Sequence, residues 1–142
     1  MSDLRHKRIL ACTDGASAVE FALLVPFFIA LMFGIVAYGS WLATAHGVQQ
    51  LAAEAARSSV AGLSETERVS LARDYVTANV GSYPLIAPAN LTIEAASSGG
   101  TAFVVTARYD ASDMFIYSVL PQVVTPPSTT ITRSAVVPYG GF

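Results

Sequence analysis

The stretch Gly15-Ala16-Ser17-Ala18-Val19-Glu20-Phe21-Ala22-Leu23-Leu24-Val25-Pro26 joins a short basic leader to a long apolar run and places one carboxylate just inside that run. From Phe21 to Ala53 there is no Asp, Glu, Lys or Arg, and Phe21 to Tyr38 is almost wholly apolar. Crossing a bilayer takes about 20 apolar residues, so the run is long enough. A carboxylate at the centre of a membrane helix costs about 2.5 to 3.5 kcal/mol on insertion scales. Glu20 therefore either meets a partner or lies solvated at headgroup depth.

Working outward, Arg5, Lys7 and Arg8 precede the run, whereas Glu54 and Arg57 nearly cancel after it. An excess of Lys and Arg marks the cytoplasmic side, which predicts a cytoplasmic N-terminus and a C-terminal region across the membrane. The helix is predicted over residues 16–61, with a strong stop at Gly62. At 1.5 Å per residue it would be about 69 Å long, more than twice a hydrocarbon core of about 30 Å, so its second half stands outside the membrane. Pro26 removes a backbone hydrogen bond and should kink or loosen the first turns. Gly34, Gly39 and Gly47 permit close helix approach. From Leu42 the pattern becomes amphipathic, with Val48, Leu51, Ala52, Ala55 and Ala56 near one face. Tyr38 and Trp41 fall where the helix leaves the membrane, at the depth that aromatic rings with one polar atom prefer.

The remainder predicts one small domain. In Ser64-Glu65-Thr66-Glu67 a capping box opens a second helix, with Ser64 as N-cap and Glu67 reaching back to the Ser64 amide. Val69, Ala72, Val76 and Val80 give that helix an apolar stripe, and Gly81 is placed to end it. Residues 82–89, with two prolines before Ala89, read as a linker. Leu91, Ile93 and Ala95 alternate with polar residues up to Ser98-Gly99-Gly100, and Phe103, Val105, Ala107 and Tyr109 alternate after it, which is a hairpin pattern. Asp110 to Leu120 fits a short helix, Pro121 to Pro127 a loop, and Thr129 to Val137 a third strand rich in β-branched residues. The expected fold class is α+β: a long N-terminal transmembrane and amphipathic helix, a second helix, then a small antiparallel sheet of about three strands. Its parts are a cytoplasmic leader (1–15), the long helix (16–61) with a membrane-spanning first half, and an extracytoplasmic head (62–142).

Composition excludes several classes. Charged residues make up 13% of the chain and the net charge is −2, so nothing draws it to nucleic acid. The single cysteine, Cys12, precedes the apolar run, leaving the head without a disulfide. Ile9-Leu10-Ala11-Cys12 lacks the preceding apolar region a lipoprotein signal requires. Ala43-Thr44-Ala45 matches a secretory cleavage site in its small residues, but the apolar segment before it is longer than a usual signal core and the amphipathic pattern runs straight across. His46 has no ligand-spaced neighbour, so no metal and no cofactor are expected. No nucleophile motif or phosphate loop points to an enzyme. Asp110 and Asp113 are the close carboxylate pair of the β-rich region, and with Ser112 between them they read as turn caps.

The segment Gly15 to Pro26 resembles the processing site of the TadE-like pseudopilins of tight-adherence pili, a branch of the type IV pilus group. Ala52-Ala53-Glu54-Ala55-Ala56-Arg57 is similar to the family's helical continuation, as is the aromatic, proline-rich insertion before the last strand. The resemblance implies that a prepilin peptidase cuts after Gly15 on the cytoplasmic side, making Ala16 the new N-terminus and Glu20 the fifth mature residue, followed by Phe21. It implies, as partners, that peptidase, other pilins or pseudopilins, inner-membrane assembly proteins and membrane lipid, with the protein in a bacterial inner membrane and its head in the periplasm. Asp14, directly before Gly15, departs from the basic character members commonly carry there. The alternative is an uncut, single-pass membrane anchor for a periplasmic binding head, in which Tyr109, Phe115 and Tyr117 form a contact patch or fill the core.

Overall fold

A computed structural model describes residues 13–119 and 125–139. The basic leader residues Arg5, Lys7 and Arg8, Cys12, and residues 121–124 of the expected proline-rich loop lie outside the described residues.

Alanine, leucine and valine carry one continuous helix, α1, over Thr13–Ser59, which runs unbroken through Pro26 despite the backbone hydrogen bond proline removes. The chain divides into two compact units between Val36 and Ala37. In the first unit the helix presents its apolar side chains outward: Phe21, Leu24, Phe28 and Met32 are all more than half exposed. Helix length and composition here are sufficient to cross a membrane.

In the second unit, from Ala37, the same helix is the spine of a packed core. Val48, Leu51, Ala52, Ala55 and Ala56 are completely buried. α1 ends at Ser59, two residues before the expected limit, and Gly62 N–H closes the turn on the Ser59 carbonyl at 3.0 Å. Gly62 is held by contact rather than by an unusual dihedral. A Cβ there would come within 2.8 Å of the Arg68 backbone nitrogen. Helix α2 spans Glu65–Asn79. Its cap differs in one bond from the expected box: Glu67 N–H donates to Ser64 Oγ at 3.2 Å, but the Glu67 carboxylate accepts from Leu63 N–H at 2.8 Å, one residue further back than the Ser64 amide. Either amide is an orphan donor of the helix start, and the longer reach satisfies the outer one.

The predicted stripe of α2 is turned inward, with Ala72, Val76 and Val80 buried. Gly81 does not end the helix in a left-handed cap. Positive φ occurs only at Gly99 and Gly100 among the described residues, whereas Val80 caps α2 in the right-handed region and a 3-10 turn carries Val80–Ser82 onward. A second such turn, Pro88–Asn90, interrupts the expected linker.

Three strands follow: β1 Leu91–Ser98, β2 Ala102–Asp110 and β3 Thr130–Pro138, with a short helix α3, Phe115–Val119, before the last. They pair antiparallel in the order β1-β2-β3. Gly99 and Gly100, at φ of 63° and 73°, make the tight β1–β2 turn that side chains with a Cβ resist. Alternation does the rest. Phe103, Val105, Ala107 and Tyr109 of β2 and Ile131 of β3 are buried against the helices, while Thr106 and Ser134 on the open face share a hydroxyl hydrogen bond at 2.9 Å. The α+β architecture expected from the sequence is the architecture observed.

One junction escaped the sequence reading. The Arg68 guanidinium lies 3.7 Å above the centre of the Tyr139 ring, and Tyr139 meets Phe103 edge-on at 6.4 Å. Tyr139 N–H also donates to the Thr101 carbonyl at 2.9 Å. This pins the end of β3 to the start of α2, a contact between residues 71 positions apart in sequence for which no local pattern exists.

Candidate assembly segment

Gly15 to Pro26 lies in the outward-facing part of α1. All of Gly15 to Leu24 is exposed, and no atom comes within 4 Å of a Cβ placed on Gly15. Helical periodicity puts Ala16, Glu20, Leu23 and Phe27 on one face, so the acid and large apolar groups share a stripe. Phe21 is 66% exposed and sits a third of a turn away from that stripe. Glu20 is the one Asp or Glu between Gly15 and Ala53. Pro26 leaves the Ala22 carbonyl without its helical donor. Gly34 and Gly39 likewise have nothing within 4 Å of a Cβ, whereas Gly47 does: Ile86 Cδ1 would lie at 3.2 Å. Of the three glycines expected to permit close approach, Gly47 is the one the head itself uses.

At the start of the second unit the two aromatic residues of α1 use their polar atoms on the protein. Tyr38 OH donates to the Thr125 carbonyl at 3.2 Å, and Trp41 Nε1 donates to the Ser128 carbonyl at 3.3 Å. Tyr117 OH donates to the same Ser128 carbonyl at 2.7 Å, and burial raises its pKa above the ordinary tyrosine value. Three aromatic side chains from two helices thus hold residues 125–128. The sequence signal was the indole and phenol beside the apolar run; what they bind was not legible.

The alternative contact patch of Tyr109, Phe115 and Tyr117 divides. Tyr109 is 4% exposed, its hydroxyl accepting from Ala87 N–H at 3.3 Å, Tyr117 is partly buried, and Phe115 is about half exposed. They do not form one exposed surface. Asp110 accepts a hydrogen bond from Ser112 N–H at 3.0 Å, and this bond holds its carboxyl below the ordinary aspartate range. That is the turn cap expected from the spacing, since a carboxylate that receives an amide N–H is stabilised in its charged form. His46 is exposed on α1, and among the described residues no three His, Cys, Asp or Glu side chains gather as a metal ion would require.

Comparison with known families places the segment. Residues 15–57 match the family model described as TadE-like protein. The match covers both Gly15 to Pro26 and Ala52 to Arg57, and it ends before the aromatic, proline-rich insertion that precedes the last strand. The family is one of proteins associated with tight-adherence pili, structural or accessory in character. Searches of curated proteins and of solved structures found no significant match to the chain.

Proposed function

We propose, with the TadE-like character of residues 15–57 as premise, that the protein is a minor pseudopilin acting in assembly of a tight-adherence pilus. Prepilin peptidase cuts after Gly15, releasing the basic leader 1–15. Residues 16–36 then span the inner membrane from a cytoplasmic-side N-terminus, and the rest, including the head 62–142, is displayed in the periplasm. The observation that carries this reading is the coincidence of the family match with an apolar helix, outward-facing through residue 36, whose one acid lies five residues after the proposed cut.

The chemistry of the acid follows from the cut. Cleavage turns an amide nitrogen into a charged α-amine at Ala16, four residues or about 6 Å of helical rise from Glu20. In an assembly the amine of one subunit neutralises Glu20 of its neighbour. In a medium of low dielectric constant two such charges attract strongly, while an unpaired carboxylate is costly, so the pair fixes the axial register of adjacent helices. Phe21 and the following leucines supply the apolar contact, and Pro26 a place where the helix bends. Other pilins, pseudopilins and inner-membrane assembly proteins are the partners on this reading.

Mass spectrometry of the protein from its host tests the cut. A species beginning at Ala16 is expected. A protein beginning only at Met1 or Ser2 rejects processing and leaves the uncut anchor, the reading that Asp14 before Gly15 favours. Glu20→Ala is expected to insert normally but to lower pilus yield; unchanged yield removes Glu20 from assembly.

A further inference from the structure

β1 is an edge strand, bonded to β2 along one side. In an antiparallel ladder, residues that bond the neighbour alternate with residues whose N–H and C=O point away from it. Two bonds identify the outward set: Ser97 N–H donates to Glu65 Oε1 at 3.0 Å, and Leu91 N–H donates to the Pro88 carbonyl. Ile93 and Ala95 occupy the alternate positions between them, so their backbone groups point outward too. Among the described residues no partner outside the strand meets the N–H of Ile93 or of Ala95. The edge is therefore blunted at both ends, by the Glu65 carboxylate and by the 3-10 turn Pro88–Asn90, and open between them. The opposite edge is covered at its middle, where the Gln49 amide of α1 donates to the Ser134 carbonyl of β3 at 3.4 Å.

Beside this opening lies a groove of about 690 Å³ between the C-terminal half of α2 and the start of β1, wholly within the second unit. Val76, Val80, Leu91 and Ile93 give it apolar walls, and Arg73 and Thr77 line it as well. The Thr77 hydroxyl is already engaged, donating to the Arg73 carbonyl at 2.9 Å. Arg73 is exposed, and among the described residues no carboxylate lies within ion-pair distance of its guanidinium. Its neighbour Asp74 accepts from Ser70 Oγ at 3.2 Å instead. Glu94 alternates with Ile93 onto the open face of the sheet, opposite Thr106, and so does not share the groove. The groove joins apolar walls, one cation and a row of unbonded backbone groups. A hydrocarbon amphiphile would answer the first two and leave the backbone unpaired. An extended peptide answers all three, because its main chain bonds the strand edge while alternate side chains enter the groove.

We infer that the β1 edge and this groove form a strand-docking site for an extended, acidic segment of a separate protein chain. The segment pairs with residues 91–95, lays an apolar side chain between Val76 and Ile93, and brings a carboxylate to Arg73. Charge complementarity sets that chemistry, since an arginine–carboxylate bond is shorter and stronger than a neutral one and is often bidentate. The β1 strand of a second copy does not supply it: its one carboxylate, Glu94, would stand on the open face, away from Arg73. The inference stands on the second unit and does not depend on cleavage at Gly15 or on pilus assembly.

The test is selection of a random heptapeptide library, displayed on phage, against the full chain in nanodiscs, followed by synthesis of the enriched peptide. Expected are sequences in which Asp or Glu lies two residues from Val, Ile, Leu or Phe, the spacing of one strand face. With the peptide bound, hydrogen–deuterium exchange should slow in residues 91–95 and not in 130–138. Arg73→Glu is expected to weaken binding about tenfold or more, as loss of a charged hydrogen bond does. A peptide with Lys in place of its acid should recover that loss. Ala95→Pro removes an outward N–H that the β2 ladder does not use, a position where an edge strand tolerates proline. With circular dichroism unchanged, it should weaken binding too. No enriched peptide, or an enriched peptide that binds Arg73→Glu as tightly as the parent, overturns the site. Slow exchange in 91–95 without peptide, lost on dilution, assigns the edge to a second copy and overturns the separate partner.

Discussion

The two halves of α1 are one unbroken helix with opposite chemistry. Between Val19 and Val36 the side chains are bulky and outward: Phe27 is 74% exposed. Between Ala45 and Ala56 the buried positions are mostly alanine, with Val48 and Leu51, and Leu51 has no exposed surface. Removing a leucine-sized side chain from water contributes about 1.5 to 3 kcal/mol. The head obtains this internally, by laying a sheet close against small residues. In the first half Phe21, Phe27 and Phe28 stay more than half exposed, and side chains of that size suit a fluid apolar solvent that needs no shape complementarity. The contrast between small, buried residues and large, exposed ones on one helix separates packing against protein from solvation by lipid.

Substitutions on either side of Val36 sharpen the contrast. Ile29→Arg places a charge near the middle of the span and is expected to disfavour insertion by about 2.5 to 3.5 kcal/mol. The head's melting temperature should stay unchanged. Carbonate extraction of membranes reads the first effect and thermal circular dichroism the second; a loss of head stability would break the separation. Ala55→Leu does the reverse. It overfills a fully buried site, expected to cost the head about 1 to 3 kcal/mol, while membrane extraction is unaltered. A smaller effect is expected further along the head, where Ser64→Ala removes the acceptor for Glu67 N–H. The loss there is about 1 kcal/mol in denaturant unfolding, typical of a helix cap.

The smallest effect is one of pH. Because the folded state holds the Asp110 carboxyl below its ordinary value of 3.8, the group stabilises the fold above that value. The contribution falls away as pH drops through the lower folded-state value. Stability measured from pH 5 downward should therefore decline less steeply in Asp110→Asn than in the parent. Equal slopes would show that the Ser112 amide gives the carboxylate no preference for the charged form.

Much of this was legible in the sequence, and particular residues show why. Gly15 to Pro26, Ser64 to Glu67 and Ser98 to Gly100 encode their structures locally: an apolar run with one acid at its start, a hydroxyl three residues before a carboxylate, two glycines between alternating strands. The places where expectation and structure differ are element ends. Gly81 looks like a helix stop, yet Val80 is buried in the core and the chain continues there as a 3-10 turn, because packing of Val80 outweighs the preference of glycine for a left-handed cap. Of the assembly segment the position of the acid and the apolar face were legible, whereas no residue pattern announced that Tyr38 and Trp41 hold residues 125–128.

By itself the sequence determined the apolar length of the first helix half, the α+β order, the hairpin and the placement of Glu20, since each depends on composition and period within a few turns or strands. Tertiary structure alone decided which aromatic groups became core and which became tethers of residues 125–128, and the stacking of Arg68 on Tyr139. The physical reason is that such contacts depend on distance in space between residues up to 87 positions apart, and local sequence carries no term for that distance.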